Sequence, residues 1–457
     1  MNIIILGAGQ VGSSLAETLS HEKMDITVVD SDPEKIRALQ DRIDVRTVLG
    51  HASHPKTLRK AKAEDADMLI AVTSSDETNM IASQIAHTLY KVPKKIVRIR
   101  ANEYSSFDQL FDESAIPIDA HISPEKVVTT YIKRLLTYPG ALQVVDFANG
   151  KVRLVGTRVA DDSPMTGKAL NQLRNHIPNI DLRIAAIYRN NETLEITGDS
   201  VIHAGDEVFF IAASTHISRI LHELRHSEKP YKRIVIAGGG NIGRGLAEKL
   251  ERNFRVKIID LSNARCEQLS HSLHDSTILC GSASDKALLE AENIHHADVF
   301  VAVTNDDEAN IMSSLLAKKM GAHKVIALIT NQAYVDLVQE GGIDIALSPQ
   351  QITIGSLLRH VRKGDTSNAY SLRRGVAEAI EIVAHGDTKH SRVVGKEIDE
   401  IEWPKSVSIG AIVRNDEVII AHHHIVIQPN DHVIMFLTNK KDVPELEKLF
   451  EVGFGFF

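Results

Sequence analysis

Two glycine-rich stretches, Gly7-Ala8-Gly9-Gln10-Val11-Gly12 and Gly238-Gly239-Gly240-Asn241-Ile242-Gly243, have the residue types and spacing to hold a phosphate. Each follows a short apolar run and precedes a segment whose apolar spacing suits a helix. In such a strand, turn and helix, the first glycine permits the tight turn and the second lets a pyrophosphate approach the backbone. The third allows close helix packing, and the helix N-terminus favours an anion. Asp30 ends the next apolar run, Ile26-Thr27-Val28-Val29, 23 residues after Gly7, and Asp260 ends Val256 to Ile259 in the same way. A carboxylate there can accept hydrogen bonds from both hydroxyls of an adenosine ribose.

The flanking pattern supplies the scaffold these residues need. Apolar runs at Ile3–Leu6, Ile26–Val29, Val45–Leu49, Met68–Val72, Ile96–Ile99 and Ile116–His121 predict six strands. Between them, helices are expected after Gly12, at Pro33–Asp41, Pro55–Ala63, Glu77–Tyr90 and Tyr104–Phe111, which implies a doubly wound parallel sheet. Ser123-Pro124-Glu125 opens a helix running to Leu136, and Tyr138-Pro139-Gly140 stops it. From Ala141 to Arg225 the runs become short and alternating: Leu142–Phe147, Val152–Val159, Ile184–Tyr188 and Val208–Ile211. Turn clusters at Asn190-Asn191 and Ala204-Gly205-Asp206, with one helix at Ala169–Arg174, complete a small β-rich α+β domain. His226–Arg233, polar and containing Pro230, reads as a linker.

The whole pattern then repeats. Gly238 stands 231 residues after Gly7, Gly281 stands 231 after Gly50, and Asp260 stands 230 after Asp30. Ala66–Thr73 matches Ala297–Thr304, and Asp76-Glu77 with Asn79 returns as Asp307-Glu308 with Asn310. Ser123-Pro124 matches Ser348-Pro349, and Gly205-Asp206 matches Asn430-Asp431, both 225 residues on. The duplication therefore covers both domain types. The expected division is a Rossmann domain at 1–122, a connecting helix at 123–140, a small domain at 141–225 and a linker at 226–231; the second set spans 232–347, 348–364 and 370–457. The copies differ at Arg98 and Arg100, which at an offset of 229 face Ala327 and Ile329, so the first cleft is better equipped for a phosphate.

At 457 residues the chain should hold three or four domains, and 43% hydrophobic with 25% charged residues is ordinary for a globular protein. A net charge of -8 without a basic cluster excludes a track of nucleic-acid phosphates. Cys266 and Cys280, 14 residues apart, read as reduced thiols with no disulfide scaffold. No export leader is expected at the start, and no apolar run reaches the roughly 18 residues of a membrane span.

No nucleophile and base stand together in either small domain, so binding is favoured over chemistry, and neither catalytic nor metal-binding residues are assigned. His422-His423-His424 reads as an exposed face of an alternating segment from Val418 to Ile427, and His51, His54, His295 and His296 as loop residues. An NAD-dependent oxidoreductase with duplicated cofactor domains is the alternative reading. Val127, Val128, Tyr131, Leu135 and Leu136 on the first connecting helix suit either packing within the chain or another chain. The apolar end Gly453–Phe457 suits either folding back or a membrane partner.

The tandem order, with GAGQVG and GGGNIG each opening a Rossmann domain followed by a small β-rich domain, resembles the RCK (KTN) family over essentially the whole chain, and within it the cytosolic regulatory subunits of bacterial Trk potassium uptake systems. The resemblance implies a homo-oligomeric, tetrameric ring, peripheral on the cytoplasmic side of the inner membrane. The ring would dock on a potassium-translocating membrane subunit of the TrkH or TrkG type. It implies NAD or NADH in the Rossmann clefts, with ATP or ADP as competing ligands. By resemblance, Gly7 to Gly12 would hold phosphates, Asp30 the ribose, Thr73-Ser74 the switch point, and Arg98 a phosphate or the second half of the ligand; the second cleft would use Gly238 to Gly243, Asp260 and Thr304. The carboxylates disfavour the 2′-phosphate of NADP. His51 and Ser282 stand where the family often carries an aspartate, so no acidic contact is expected there.

Overall fold

The computed structural model describes residues 1–452 except 23, 113, 174–176, 179, 191, 227, 340, 363–364, 374–375 and 423. His423, Asn191, Arg174 and the apolar end Gly453–Phe457 therefore lie outside the described residues. The chain divides into two compact units, one of residues 1–127 with 350–360 and one of 128–349 with 361–457.

The first unit holds a parallel sheet of β1 (Asn2–Leu6), β2 (Asp25–Asp30), β3 (Arg46–Leu49), β4 (Met68–Ala71), β5 (Lys94–Arg98) and β6 (Ala120–Ile122) in the order β3-β2-β1-β4-β5-β6. Strand order reverses between β1 and β4, where a doubly wound sheet leaves its ligand crevice. The central strands are apolar on both faces because helices cover both: Ile3 to Leu6 and Met68 to Ala71 are all buried. Helix Gln10–Ser20 turns Leu15, Ala16 and Leu19 inward, and the 15-residue helix Asp76–Tyr90 buries Met80, Ala82 and Ala86. The sixth strand is shorter than expected, and the expected helix at Tyr104–Phe111 is a short turn at Asn102–Ser105 followed by one at Asp108–Leu110.

The second unit begins with the remainder of the connecting helix Pro124–Thr137. An antiparallel sheet follows, made of β7 (Ala141–Phe147), β8 (Val152–Arg158), β9 (Leu182–Arg189), β10 (Glu192–Thr193) and β11 (Glu207–Ala213) in the order β10-β9-β11-β8-β7. In the expected helix at Ala169–Arg174, Leu170–Gln172 form a helical turn that runs into a helical Leu173, and its far end at Arg174 lies outside the described residues. The amphipathic helix Ile217–Leu224, not expected from the sequence, packs Ile217, Ile220, Leu221 and Leu224 inward.

The second parallel sheet comprises β12 (Arg233–Ala237), β13 (Arg255–Asp260), β14 (Thr277–Cys280), β15 (Val299–Ala302), β16 (Lys324–Leu328) and β17 (Ile345–Leu347), in the order β14-β13-β12-β15-β16-β17, the same topology as the first. The fourth sheet is antiparallel: β18 (Thr366–Leu372), β19 (Ala377–Val383), β20 (Val407–Arg414), β21 (Glu417–Ile420) and β22 (His432–Leu437), ordered β18-β19-β22-β20-β21. The molecule is thus an α/β protein with two Rossmann-like sheets, each followed by an antiparallel-sheet domain.

The two antiparallel domains share one core. Phe147, Leu154 and Phe209 of one and Ala379, Ile434 and Phe436 of the other are buried in a single cluster, with the Phe209 and Phe436 rings 5.4 Å apart. Gly410 fits here because a Cβ on it would stand 2.0 Å from Ile211 Cδ1. Each domain also repeats a two-pronged clamp: Arg189 holds Asp206 through two contacts of 2.8 Å, and Arg414 holds Asp431 at 2.8 and 2.7 Å.

Much of the apolar face of the first connecting helix packs within the chain, with Val127 and Tyr131 half-buried. Val128, Ile132, Leu135 and Leu136 are buried, and Thr130 Oγ1 accepts from Lys249 Nζ at 2.8 Å on helix Asn241–Leu250. The expected linker carries a buried anchor. Tyr231 is buried, its hydroxyl donates to Glu228 at 2.8 Å, and Arg225 reaches the same carboxylate at 2.9 Å. The expected strand through His422 also ends early, at Ile420; His422 instead meets Asp181 at 3.1 Å and His424 meets Glu397 at 3.4 Å.

The two cysteines correct the expectation of separate thiols. Cys266 and Cys280 are joined in a disulfide, with Cα atoms 6.1 Å apart. Helix Asn263–Ser272 and strand β14 pack side by side, which brings together positions 14 residues apart in sequence.

Candidate functional site

Each parallel sheet places its glycine loop at the crossover point, and each glycine has a distinct physical reason. Gly7 has φ +105° and Gly238 φ +106°, the left-handed region that disfavours a side chain. Gly12 and Gly243 sit where a Cβ would stand 1.9 and 1.8 Å from the carbonyl oxygens of Gly7 and Gly238, so helix and turn close only on glycine. Gly9 and Gly240 are different: nothing lies within 4 Å of a Cβ built there. That open space over a helix N-terminus is the room a pyrophosphate needs. Gln10, Val11, Asn241 and Ile242 form the first turns of the two helices that begin there.

The two carboxylates are held by the loops they face. Asp30 accepts from Ala8 N at 2.6 Å and Asp32 N at 2.8 Å; Asp260 accepts from Gly239 N at 2.7 Å and Ser262 N at 2.9 Å. Both Asp30 oxygens and Asp260 Oδ1 keep a further lone pair for a ribose hydroxyl, whereas Asp260 Oδ2 also accepts from Arg265 Nη1. Arg265 Nη1 lies 3.5 Å from Asp260 Oδ2.

Thr73 and Thr304 sit against the glycine loops, but their side chains are spent inside the fold. Thr73 Oγ1 donates to Asn79 Oδ1 at 2.6 Å and Thr304 Oγ1 to Asn310 Oδ1 at 2.7 Å. Asn79 Nδ2 donates in turn to Arg98 O at 3.0 Å, and Asn310 Nδ2 to Leu328 O at 2.9 Å. These asparagines, fully buried, tie the crossover loop to the next strand; the repeat of Asn79 as Asn310 was their signal in the sequence. Ser74 is exposed.

The strand register also moves the pairing of the copies by one. Ala71 pairs with Val97 and Ala302 with Ala327, so Arg98 corresponds to Leu328 and Arg100 to Thr330, not to Ala327 and Ile329. The contrast sharpens. In the second copy Thr330 donates through both N and Oγ1 to Asp307, at 2.9 to 3.0 Å, and closes that carboxylate. In the first copy Asp76 Oδ2 receives Arg100 N at 2.9 Å and Ala101 N at 2.8 Å, while buried Asp76 Oδ1 and buried Arg98 Nε have no hydrogen-bond partner. Burial, with Arg100 beside it, pushes the Arg98 guanidinium down from its ordinary value. A half-buried guanidinium at the end of β5 whose buried Nε has no hydrogen-bond partner fits a ligand anion. The residues present therefore fit a nucleotide in the first cleft, while the second offers the same loop and carboxylate without the strand-end cation.

His51 and His54 stack with ring centroids 4.8 Å apart beyond β3, both exposed. No Asp or Glu follows Gly50 or Gly281, as the sequence reads.

Residues 3–124 and 234–349 each match the TrkA-N domain, and residues 154–225 and 387–451 each match the TrkA-C domain. The chain belongs to the TrkA family. It is 56% identical over 457 residues, covering 100% of both chains, to the Trk system potassium uptake protein TrkA of Halomonas elongata. The protein of that name from Vibrio alginolyticus is 55% identical over 452 residues, covering 99% of both, and that of Haemophilus influenzae 49% over the same span and coverage. Among solved structures, the GsuK RCK domain shares the fold at a TM-score of 0.62 and 17% identity, covering 98% of this chain and 94% of that one. The GsuK channel bound to NAD matches at 0.62 and 17%, covering 98% and 79%. TrkA-type membership places the chain in potassium uptake and not among enzymes, and the oxidoreductase reading is set aside. Among the described residues, no helix is long and apolar enough to cross a membrane.

Proposed function

We propose that the chain is the nucleotide-sensing regulatory subunit of a potassium uptake system. The single observation that carries this reading is the duplicated glycine loop, open at Gly9 and Gly240 and facing Asp30 and Asp260, in a chain of the TrkA family. NAD or NADH occupies the first cleft, with ATP or ADP competing: the loop amides and Arg98 take phosphate and Asp30 takes the adenosine ribose. The GsuK channel, which shares this fold, has been solved bound to NAD, and that supports the choice. The second cleft takes adenosine nucleotide through Gly238 to Gly243 and Asp260, more weakly because Leu328 replaces Arg98.

Nucleotide exchange acts by binding two arrangements of the chain unequally, because a ligand with equal affinity for both shifts nothing. The chain assembles as a homo-oligomeric, tetrameric ring and docks on the cytoplasmic face of a TrkH- or TrkG-type transporter, peripheral to the inner membrane. The domain division runs 1–122, 123–140, 141–225, 226–231, 232–347, 348–364 and 370–457. The test is potassium flux into vesicles carrying such a transporter, with and without this chain, scanned over NAD, NADH, ADP and ATP. Flux should depend on the chain and on nucleotide identity; flux indifferent to all four nucleotides ends the regulatory reading.

A further inference from the structure

The second Rossmann repeat carries a chemistry that the first lacks. Cys266 and Cys280 are the chain's two cysteines, while the corresponding positions of the first repeat are Ile36 and Leu49. Their Cα separation of 6.1 Å lies within the roughly 4.4–6.8 Å that a disulfide spans. Cys266 is buried on helix Asn263–Ser272, whereas Cys280 is exposed at the end of β14, where it is the register partner of Asp260. Cys266 Sγ lies 3.5 Å from the Asp260 carbonyl oxygen, to which Gly281 N also donates at 2.9 Å. The sulfurs thus sit directly beneath the turn that presents the carboxylate of the second cleft.

We propose that Cys266 and Cys280 form a reversible thiol–disulfide site that fastens helix Asn263–Ser272 to β14 and stiffens the Asp260 turn in response to a low-molecular-weight disulfide. The accessible Cys280, as thiolate, attacks one sulfur of the small disulfide and expels one thiol, leaving a mixed disulfide. Cys266 then gives up its proton, attacks the Cys280 sulfur and expels the second thiol. Two protein thiols are oxidised and one small disulfide is reduced to two thiols. The cross-link closes the segment between the two cysteines and removes states in which the helix detaches from the strand. Its effect on ligand affinity rests on the second cleft binding nucleotide; the cross-link itself does not.

The test equilibrates the full chain in mixtures of oxidised and reduced glutathione, then combines non-reducing peptide mapping with amide hydrogen exchange. A 266–280 linkage should form and reverse with dithiothreitol, and exchange across 261–281 should slow about tenfold while 31–50 stays unchanged. No linkage at any ratio, linkage that leaves 261–281 unprotected, or the same protection in a Cys266→Ser chain each overturns the proposal. Adenosine nucleotide titrated into an Asp30→Ala chain, with the first cleft silenced, should show at least a roughly threefold difference in affinity between the two redox states. Equal affinities overturn the coupling to the cleft. A cross-linked, protected chain that binds no nucleotide there overturns the nucleotide reading of the second cleft and leaves the thiol site standing.

Discussion

Gly9 and Gly12 are three residues apart and separate two functions that one motif fuses. A methyl on Gly12 would meet the Gly7 carbonyl oxygen at 1.9 Å, whereas a methyl on Gly9, whose φ is −72°, meets nothing. Gly12→Ala should therefore destabilise the first Rossmann domain by about 3 kcal/mol or more, as backbone must move. Gly9→Ala should leave the unfolding midpoint within about 0.5 kcal/mol of the parent yet weaken nucleotide binding at the first cleft about tenfold, by filling the phosphate's space. Denaturant melts paired with calorimetric titration read both. Arg98→Gln should likewise spare the fold and lower affinity at the first cleft alone, since Leu328 occupies the matching place in the second.

At the scale of elements, the crossover loop is held by one asparagine in each sheet. Asn79 accepts from Thr73 N at 3.0 Å and Oγ1 at 2.6 Å and donates to Arg98 O, all while fully buried. Asn79→Ala strands those groups, so a loss of about 2–4 kcal/mol is expected, together with nucleotide binding at the first cleft; chemical denaturation of the variant checks it, and an unchanged midpoint refutes the lock. This lock shows how the sequence could be read and where it stopped. Alternating apolar runs and glycine punctuation identified both parallel sheets and both loops, because strand period and turn geometry are local properties. Thr73 and Thr304 were visible as loop residues, but whether a hydroxyl faces ligand or a neighbouring asparagine depends on a helix one turn further on. The Arg98 pairing slipped by one for a related reason: register between strands is set by hydrogen bonding across the sheet, which a constant offset along the chain does not track. The shared core of the antiparallel domains and the Cys266–Cys280 contact were hidden because they join segments whose sequence gives no local sign of meeting.

At the scale of the whole chain, the segment after the first antiparallel domain acts as a junction inside its unit. Glu228 receives Tyr231 Oη at 2.8 Å and Arg225 Nη2 at 2.9 Å and meets His323 Nε2 at 3.2 Å, while Lys324 Nζ donates to Ala141 O at 3.4 Å. Burial pushes the Glu228 carboxyl up, but the hydrogen bonds from Tyr231 and Arg225 prevail and hold it at about 2. Its contribution is present at neutral pH and is lost as acid is added through the range below 4.5. Lys324 behaves oppositely. Burial lowers its amine from 10.5 to about 8, and Glu228 only partly offsets this. Between about pH 8 and 10.5 the unfolded chain holds a proton that the folded chain has released, so the contribution of Lys324 to stability rises with pH through that window, by about 3 kcal/mol, while Tyr231, whose hydroxyl is pushed up by burial and by Glu228, contributes in the opposite direction towards its upper end. Lys324→Met keeps the side-chain length and removes the buried charge, and Glu228 retains Arg225 and Tyr231. The variant should therefore unfold at a higher midpoint than the parent at pH 7, by about 1–3 kcal/mol, and lose the rise between pH 8 and 10.5. Denaturant melts of parent and variant from pH 6 to about 10.5 decide the matter: a parent-minus-variant difference flat through that window, or a variant weakened at pH 7, would show that the amine is stabilised by its carboxylate and not strained by burial.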